Sequence, residues 1–147
     1  MGDAVDLVEF VRARLDEDEA LARAATRQRG RGEWKAETDA RGITEVVGRS
    51  EPGDDSYPNT PVVLQPDDDE TTGFIAAHDP ARVLREVDAK RRIIADLEQA
   101  EFTLSKAGDR GTAYDVMTGA VNMLRRTVRL LAVPYADHPD YRDEWRP

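Results

Sequence analysis

The sequence predicts an α+β fold with three principal helices and a small antiparallel sheet of about three strands. Apolar residues recur at helical spacing near the start of the chain and through its second half. Between these segments, short stretches alternate apolar and polar residues and are separated by Gly, Pro and Asp turns. Because 147 residues is a usual size for one domain, we expect a single domain over residues 1–147, with a loop-rich segment 26–77 after the first helix.

The first helix begins at Asp3, a suitable N-cap, and Leu7, Val11 and Leu15 fall on one face. The acidic run 16–19 points around the helix, so its carboxylates cannot converge on one ion, and it is typical of a solvated face. The helix is expected to end near Thr26, where the basic, glycine-containing residues 27–32 form a loop that could also hold an anion.

A small sheet is predicted in the middle of the chain. Trp34, Ala36 and Thr38 alternate with polar neighbours, residues 39–42 supply turn chemistry, and residues 43–47 form a second strand. Residues 62–64 read as a third strand. Residues 71–77 are compatible with a strand or a helical turn, and we favour the turn because it leads into a helix cap.

Two further helices are predicted in the second half. Asp79 caps a helix that has proline at its first position and runs to about Ala107, and a last helix runs from Thr112 to about Leu131. Arg91 lies near the middle of the apolar stripe of the first of these. Ionisable groups at such positions usually pair or extend to water, and the alternative is that Arg91 lines a pocket.

The two histidines lie in similar settings, each between an apolar segment and a proline-initiated turn. His78 precedes the Asp79 cap, and His138 lies in the closing segment after Pro134. That segment also carries Tyr135 and Trp145, more aromatic residues than a disordered tail usually has. We expect it to pack onto the domain or a partner chain, although its rings could instead stack on a planar ligand.

Composition excludes several functions. A net charge of −9 argues against general binding to nucleic acids and against binding to anionic membranes. No apolar run is long enough for a membrane span and the start lacks the order of a signal peptide, so we expect a cytoplasmic protein. With no cysteine, disulfides and thiolate metal sites are excluded. Walker, nucleophile-elbow and zincin motifs are missing, so we predict no catalytic residue, no cofactor and no metal.

Three blocks of the sequence carry a resemblance. They are residues 6–8 with 12–19, residues 78–87 with 90–92, and residues 130–147. Together they resemble an uncharacterised family of small actinobacterial and actinophage proteins with no assigned activity. Many relatives carry cysteines just ahead of the closing block, whereas this chain has none. The resemblance implies that seven residues belong to family blocks or their usual neighbours: Trp34, His78, Asp79, Arg82, Arg91, His138 and Trp145.

These observations predict a non-catalytic accessory protein that sequesters a small phosphorylated or nucleotide-type ligand, by analogy with phage proteins that absorb nucleotide immune signals. The helix start would offer backbone donors, arginines would supply counter-charge and aromatic rings would stack a base, although Asp79 would repel a phosphate. The predicted ligand-binding residues are Trp34, His78, Arg82, Arg91, Tyr135, His138 and Trp145.

Two other functions stay open. The broad apolar stripes and the aromatic segment fit a homo-oligomeric structural or adaptor protein that acts through protein contacts. A metal-dependent hydrolase would require His78 and His138 to meet, with Asp79 and Asp140 completing the ligands.

Overall fold

The computed structural model describes residues 2–29, 33–48 and 69–147. These residues are mostly helical with a two-stranded antiparallel sheet, which confirms the α+β class in its broad form. They divide into two compact units. We call residues 2–17 with 87–147 the helical unit, and residues 18–86 the hairpin unit. The elements are α1 Gly2–Arg29, β1 Trp34–Thr38, β2 Thr44–Gly48, α2 Asp69–Ala77, α3 Pro80–Lys106 and α4 Thr112–Ala132, followed by 3-10 turns at Val133–Tyr135 and Asp143–Trp145.

The predicted number of helices was wrong. Where the sequence favoured a single helical turn, the nine residues of α2 form a helix, so the described residues hold four helices. Thr71, Thr72 and Gly73 have low helix propensity, which weakens the signal. Asp69 and Glu70 favour the N-terminal dipole, and packing against the hairpin supplies the rest. The third predicted strand, residues 62–64, lies outside the described residues.

The predicted hairpin is confirmed. Strands β1 and β2 pair antiparallel, with Trp34 opposite Gly48 and Ala36 opposite Val46. Alternate residues of a strand share a face, so Trp34 and Val46 lie on the same side of the ribbon. Helix α2 contacts both strands and covers this side, where Ala76 and Ile75 pack against Val46 and Trp34. A two-stranded ribbon is marginal alone, and this helix gives it a small core.

Asp39 organises the hairpin turn. Its Oδ1 accepts hydrogen bonds from the amides of Arg41 and Ile43, at 2.8 and 3.0 Å, and its Oδ2 accepts from Arg41 Nε at 2.8 Å. Gly42, at φ +79°, supplies the left-handed residue that this turn requires. The hydrogen bond from Ile43, followed by the contact with the Arg41 guanidinium, lowers the pKa of Asp39 below its ordinary value of 3.8.

Acid is therefore expected to loosen this turn. A carboxyl whose pKa is lowered in the folded state stabilises that state above pH 3.8, and the contribution is lost as pH falls through the folded-state pKa. An NMR titration of the Ile43 amide should show a midpoint below 3.8, and Asp39→Asn should abolish this transition. A midpoint at or above 3.8 would contradict the role given to the carboxylate.

Helix α3 begins and ends as predicted, within one residue. Asp79 is its N-cap, since Oδ1 accepts from the Arg82 amide at 2.7 Å and its carbonyl accepts from Val83 at 3.1 Å. At the other end Gly108, at φ +79°, turns the chain out of the helix. Helix α4 follows Gly111, and its bounds also agree with the prediction within one residue.

The buried apolar side chains of the helical unit come from α1, α3, α4 and the C-terminal segment. Ion pairs join the helices: Arg12 with Glu98 at 2.7 Å, and Arg125 with Glu101 at 2.8 Å. In the described part of the chain, no helix is both long and apolar enough to cross a membrane. The buried residues of this unit are Leu7, Val8, Phe10, Val11, Leu15, Val87, Ile94, Leu97, Ala100, Val121, Val128, Ala132 and Trp145.

Candidate functional site

Phe10, on α1, is the centre of an aromatic cluster in the helical unit. The chain after α4 is broken by Pro134 and Pro139 into successive turns, with hydrogen bonds such as His138 N–H to Tyr135 O at 2.9 Å. These turns bring four rings of the closing segment against Phe10. Their centroids lie 6.5, 5.7, 5.9 and 4.9 Å from the Phe10 centroid for Tyr135, His138, Tyr141 and Trp145 respectively.

Trp145 forms the floor of this cluster. It is only 2% exposed, it tilts 43° against Phe10, and Tyr141 meets it edge-on at 5.8 Å. The closing segment thus packs onto its own chain, one of the two placements that the sequence predicted. The indole Nε1 of Trp145 is buried and has no hydrogen-bond acceptor among the described residues. The ring itself is therefore committed to packing, while its N–H remains unsatisfied.

Arg14, one turn after Phe10, is a buried cation of the same cluster. It is 9% exposed, and its guanidinium lies 5.4 Å from the Phe10 centroid. Nη2 donates to Glu17 Oε1 at 2.8 Å and Nη1 donates to His138 Nε2. Nε is buried without an acceptor in the described part of the chain. Arginine is seldom this buried unless its donors are paired, so the unpaired Nε–H makes Arg14 a candidate for donating to a ligand.

His138 is held by these contacts. A guanidinium can only donate, so Nε2 of His138 accepts from Arg14. Nδ1 lies 3.1 Å from the amide nitrogen of Asp140 and 3.8 Å from its carboxylate. A neutral imidazole can accept at only one nitrogen, and here that nitrogen is Nε2, so its lone pair is not open to a substrate.

A cleft of about 470 Å³ opens between α1 and the closing segment. Arg142 lies at its edge, with its guanidinium 5.3 Å from the Trp145 centroid and 3.5 Å from Glu144. The cleft therefore has an aromatic floor, two cations and two carboxylates. We call it the arginine–aromatic cleft, and it is lined by Glu9, Phe10, Ala13, Arg14, Pro139, Asp140, Tyr141, Arg142 and Trp145.

Three predicted ligand-binding residues, Trp34, His78 and Arg82, lie in the hairpin unit around Asp79. The Asp79 carboxylate is buried and accepts from two amides, Arg82 N–H at 2.7 Å and Trp34 N–H at 3.1 Å. The helix start that was expected to offer donors to a phosphate is thus occupied by a carboxylate of the chain itself. An anion placed there would meet a like charge.

The side chains of His78 and Trp34 border an apolar depression of about 270 Å³ in the hairpin unit. His78 Nδ1 donates to the Phe74 carbonyl at 2.8 Å, and the two rings lie 4.2 Å apart. The walls are mostly aliphatic, which suits an apolar group better than a phosphate. They are formed by Asp18, Leu21, Ala22, Ala25, Trp34, His78, Pro80 and Val83.

Arg82 and Arg91, two of the arginines expected to supply counter-charge, are paired within the chain. Arg82 donates to Glu86 at 2.8 Å and to the Ala77 carbonyl at 3.1 Å. Arg91 donates to Asp16 at 2.6 Å, which is the intramolecular pairing that the sequence left as one of two possibilities. Of the seven predicted residues, the structure brings Tyr135, His138 and Trp145 together around Phe10, and Trp34 and His78 together at the depression of the hairpin unit.

The histidines belong to different units, and each has contacts in its own unit. Within residues 2–29, 33–48 and 69–147, no three carboxylate or imidazole side chains are grouped so as to hold a metal ion.

Of the nine residues that line the cleft, only Trp145 was predicted to bind a ligand, since Tyr135 and His138 pack on Phe10 without lining it. The eight that were missed include Phe10, Arg14, Tyr141 and Arg142, which supply the cations and the other rings. Arg14 lies between Val11 and Leu15 on the buried face of α1. A charge on an apolar stripe is the same signal that drew attention to Arg91, so it could have found Arg14 as well. Nothing comparable marks Phe10, which looks like any apolar residue of an amphipathic helix.

A family model described as a family of unknown function (DUF6221) matches residues 4–147. A search of curated proteins and a search of solved structures each returned no match.

Proposed function

We propose that this chain, which belongs to the family of unknown function, binds and sequesters a small phosphorylated ligand in the arginine–aromatic cleft without transforming it. The most specific candidate is a nucleotide. The observation that carries the proposal is the pair of arginines, Arg14 and Arg142, on the aromatic walls of one cleft. A cleft of this size suits a small molecule. In the phage or host-defence setting that the sequence resemblance implies, such sequestration would remove nucleotide immune signals.

The phosphate is expected at the arginines. Guanidinium groups bind phosphate through paired, charge-assisted hydrogen bonds. Arg14 Nε–H and Trp145 Nε1–H both lack an acceptor among the described residues, and an unsatisfied buried donor costs about 1–3 kcal/mol. Both donors are closed to solvent in this structure, so an oxygen could accept from either only once the surrounding side chains move apart, and it would then recover part of that cost.

The other walls favour a nucleotide over inorganic phosphate. Tyr141 is half-buried and Arg142 lines the same cleft, so a base can stack on the ring or on the planar guanidinium. Glu9 and Asp140 can accept hydrogen bonds from a base amino group or from ribose hydroxyls. Inorganic phosphate at neutral pH has few hydrogen-bond donors for these carboxylates.

Binding without chemistry is supported by His138. It is the only imidazole of the helical unit, and its Nε2 lone pair is taken by Arg14. A general base needs a free lone pair within reach of the substrate proton.

Native mass spectrometry after incubation with a panel of ribonucleotides and inorganic phosphate tests the proposal. A nucleotide adduct is expected, and Arg142→Ala should weaken it at least about tenfold because a charge-assisted contact is lost. Arg146→Ala is the matched control: Arg146 pairs with Asp143 at 3.0 Å and does not line the cleft, so affinity should be unchanged. Absence of any adduct at about 1 mM nucleotide would contradict the proposal.

A further inference from the structure

Helix α4 is apolar on two opposite sides. One side is buried in the helical unit by Val121, Val128 and Ala132. The other exposes Val116, Met123 and Leu130, which are 62%, 67% and 50% accessible and follow each other at intervals of seven residues. A surface helix normally presents polar groups to water on its outer side. The exposed apolar residues are therefore suited to packing against another protein surface.

The outer line has the spacing of a coiled-coil seam. If the exposed residues Gly119 and Arg126 are added, together with Val133 just after the end of α4, the line comprises positions 116, 119, 123, 126, 130 and 133, which alternate steps of three and four. This repeat keeps one stripe facing a neighbouring helix along its whole length. Over 21 residues the helix is about 31 Å long, enough for several such layers. We call these six positions the outer stripe.

We propose that the outer stripe packs against the outer stripe of a second copy of this chain, with the two α4 helices antiparallel. Charge complementarity identifies both the partner and its direction. Asp115 flanks the stripe near the start of α4, whereas Arg126 and Arg129 lie on or beside it near the end. In the described part of the chain none of these three side chains has an ion-pair partner.

The antiparallel arrangement places opposite charges next to each other, whereas the parallel arrangement would place like charges together. Two parallel copies would place Arg126 against Arg126 and Asp115 against Asp115, and like charges across a seam are unfavourable. Reversing one copy sets the end of α4 that carries Asp115 beside the arginine-bearing end of the other copy. Because the pairing is two-fold symmetric, each ion pair forms twice. This inference is independent of the ligand proposal.

Single cysteines test the arrangement without background because the chain has none. An equimolar mixture of Asp115→Cys and Arg129→Cys chains, treated with a short bismaleimide, should give the mixed cross-linked dimer well beyond the twofold excess over either homodimer that random pairing produces. Asp96→Cys, at an exposed position of α3, is the control and should not cross-link above background. Homodimers of Asp115→Cys in excess would overturn the antiparallel arrangement, and no cross-linking above the control would overturn the interface.

Sedimentation equilibrium of the full chain tests the association itself. The mass should approach twice 16.4 kDa as concentration rises, and Met123→Glu should raise the dissociation constant about 100-fold by placing a charge in the seam. Leu21→Glu is the matched control, because Leu21 is 70% exposed but belongs to the hairpin unit; it should leave the constant unchanged. A chain that stays monomeric up to about 1 mM would overturn the proposal.

Discussion

Replacing Trp145 with alanine is expected to lower the free energy of unfolding by about 3–5 kcal/mol, the usual cost of deleting a buried aromatic ring. Trp145 is almost fully buried, packs on Phe10 at 4.9 Å and meets Tyr141 edge-on. Its loss would remove the floor of the arginine–aromatic cleft as well as one anchor of the closing segment. Urea denaturation followed by far-UV circular dichroism measures the change.

Two controls separate ring packing from general sensitivity to substitution. Trp145→Phe keeps most of the apolar contact and removes an N–H that has no acceptor in the described residues, so it should cost less than half as much. Phe102→Ala removes a ring that is 60% exposed and should change stability by no more than about 0.5 kcal/mol. If Trp145→Ala were as mild as Phe102→Ala, the closing segment would not be anchored as described.

Asp79→Ala is expected to destabilise the hairpin unit by about 2–3 kcal/mol. The substitution removes the N-cap of α3, worth about 1 kcal/mol, and leaves the Trp34 amide without its acceptor. Urea denaturation followed by Trp34 fluorescence in a Trp145→Phe background measures the change, since Trp34 is then the only tryptophan.

Asp79→Asn is the matched variant for this position. It keeps one carbonyl oxygen to cap the helix but replaces the second acceptor with a donor, so about half of the loss should return. Asp88→Ala, which removes an exposed carboxylate paired with Arg92, should have little effect. Equal stability of Asp79→Ala and the parent would show that the two amide contacts do not hold the hairpin to the helix start.

Local signals in the sequence were sufficient for α3, α4 and the hairpin, and for α1 apart from its end, which lies at Arg29 and not near Thr26. Long runs of helical spacing, the cap at Asp79 and the glycine at 108 act within a few residues, so they can be read without knowing the fold. Helix α2 was underestimated because Thr71 to Gly73 favour helix weakly, and its packing on Val46 is a tertiary effect. Propensity alone cannot anticipate that contact.

The candidate site depends more heavily on contacts distant in sequence. That the closing segment would pack through its rings follows from Tyr135 and Trp145, which are too apolar for a free tail. That they would meet Phe10 and Arg14 does not follow, because more than 120 residues separate the partners and periodicity carries no information about which helix a tail selects. Arg82 and Arg91 looked equally suited to a ligand until their acidic partners were known.

The indole N–H signals of the two tryptophans, in a ¹H–¹⁵N correlation spectrum, test the ligand proposal most directly. Trp145 lies under the arginine–aromatic cleft with an unsatisfied N–H, whereas Trp34 lies in the hairpin unit, and a Trp34→Phe variant assigns the signals. We predict that the nucleotide that forms an adduct shifts the Trp145 signal saturably and leaves the Trp34 signal in place. A Trp145 signal that stays unmoved to about 1 mM nucleotide, or a shift confined to Trp34, would contradict the proposed site.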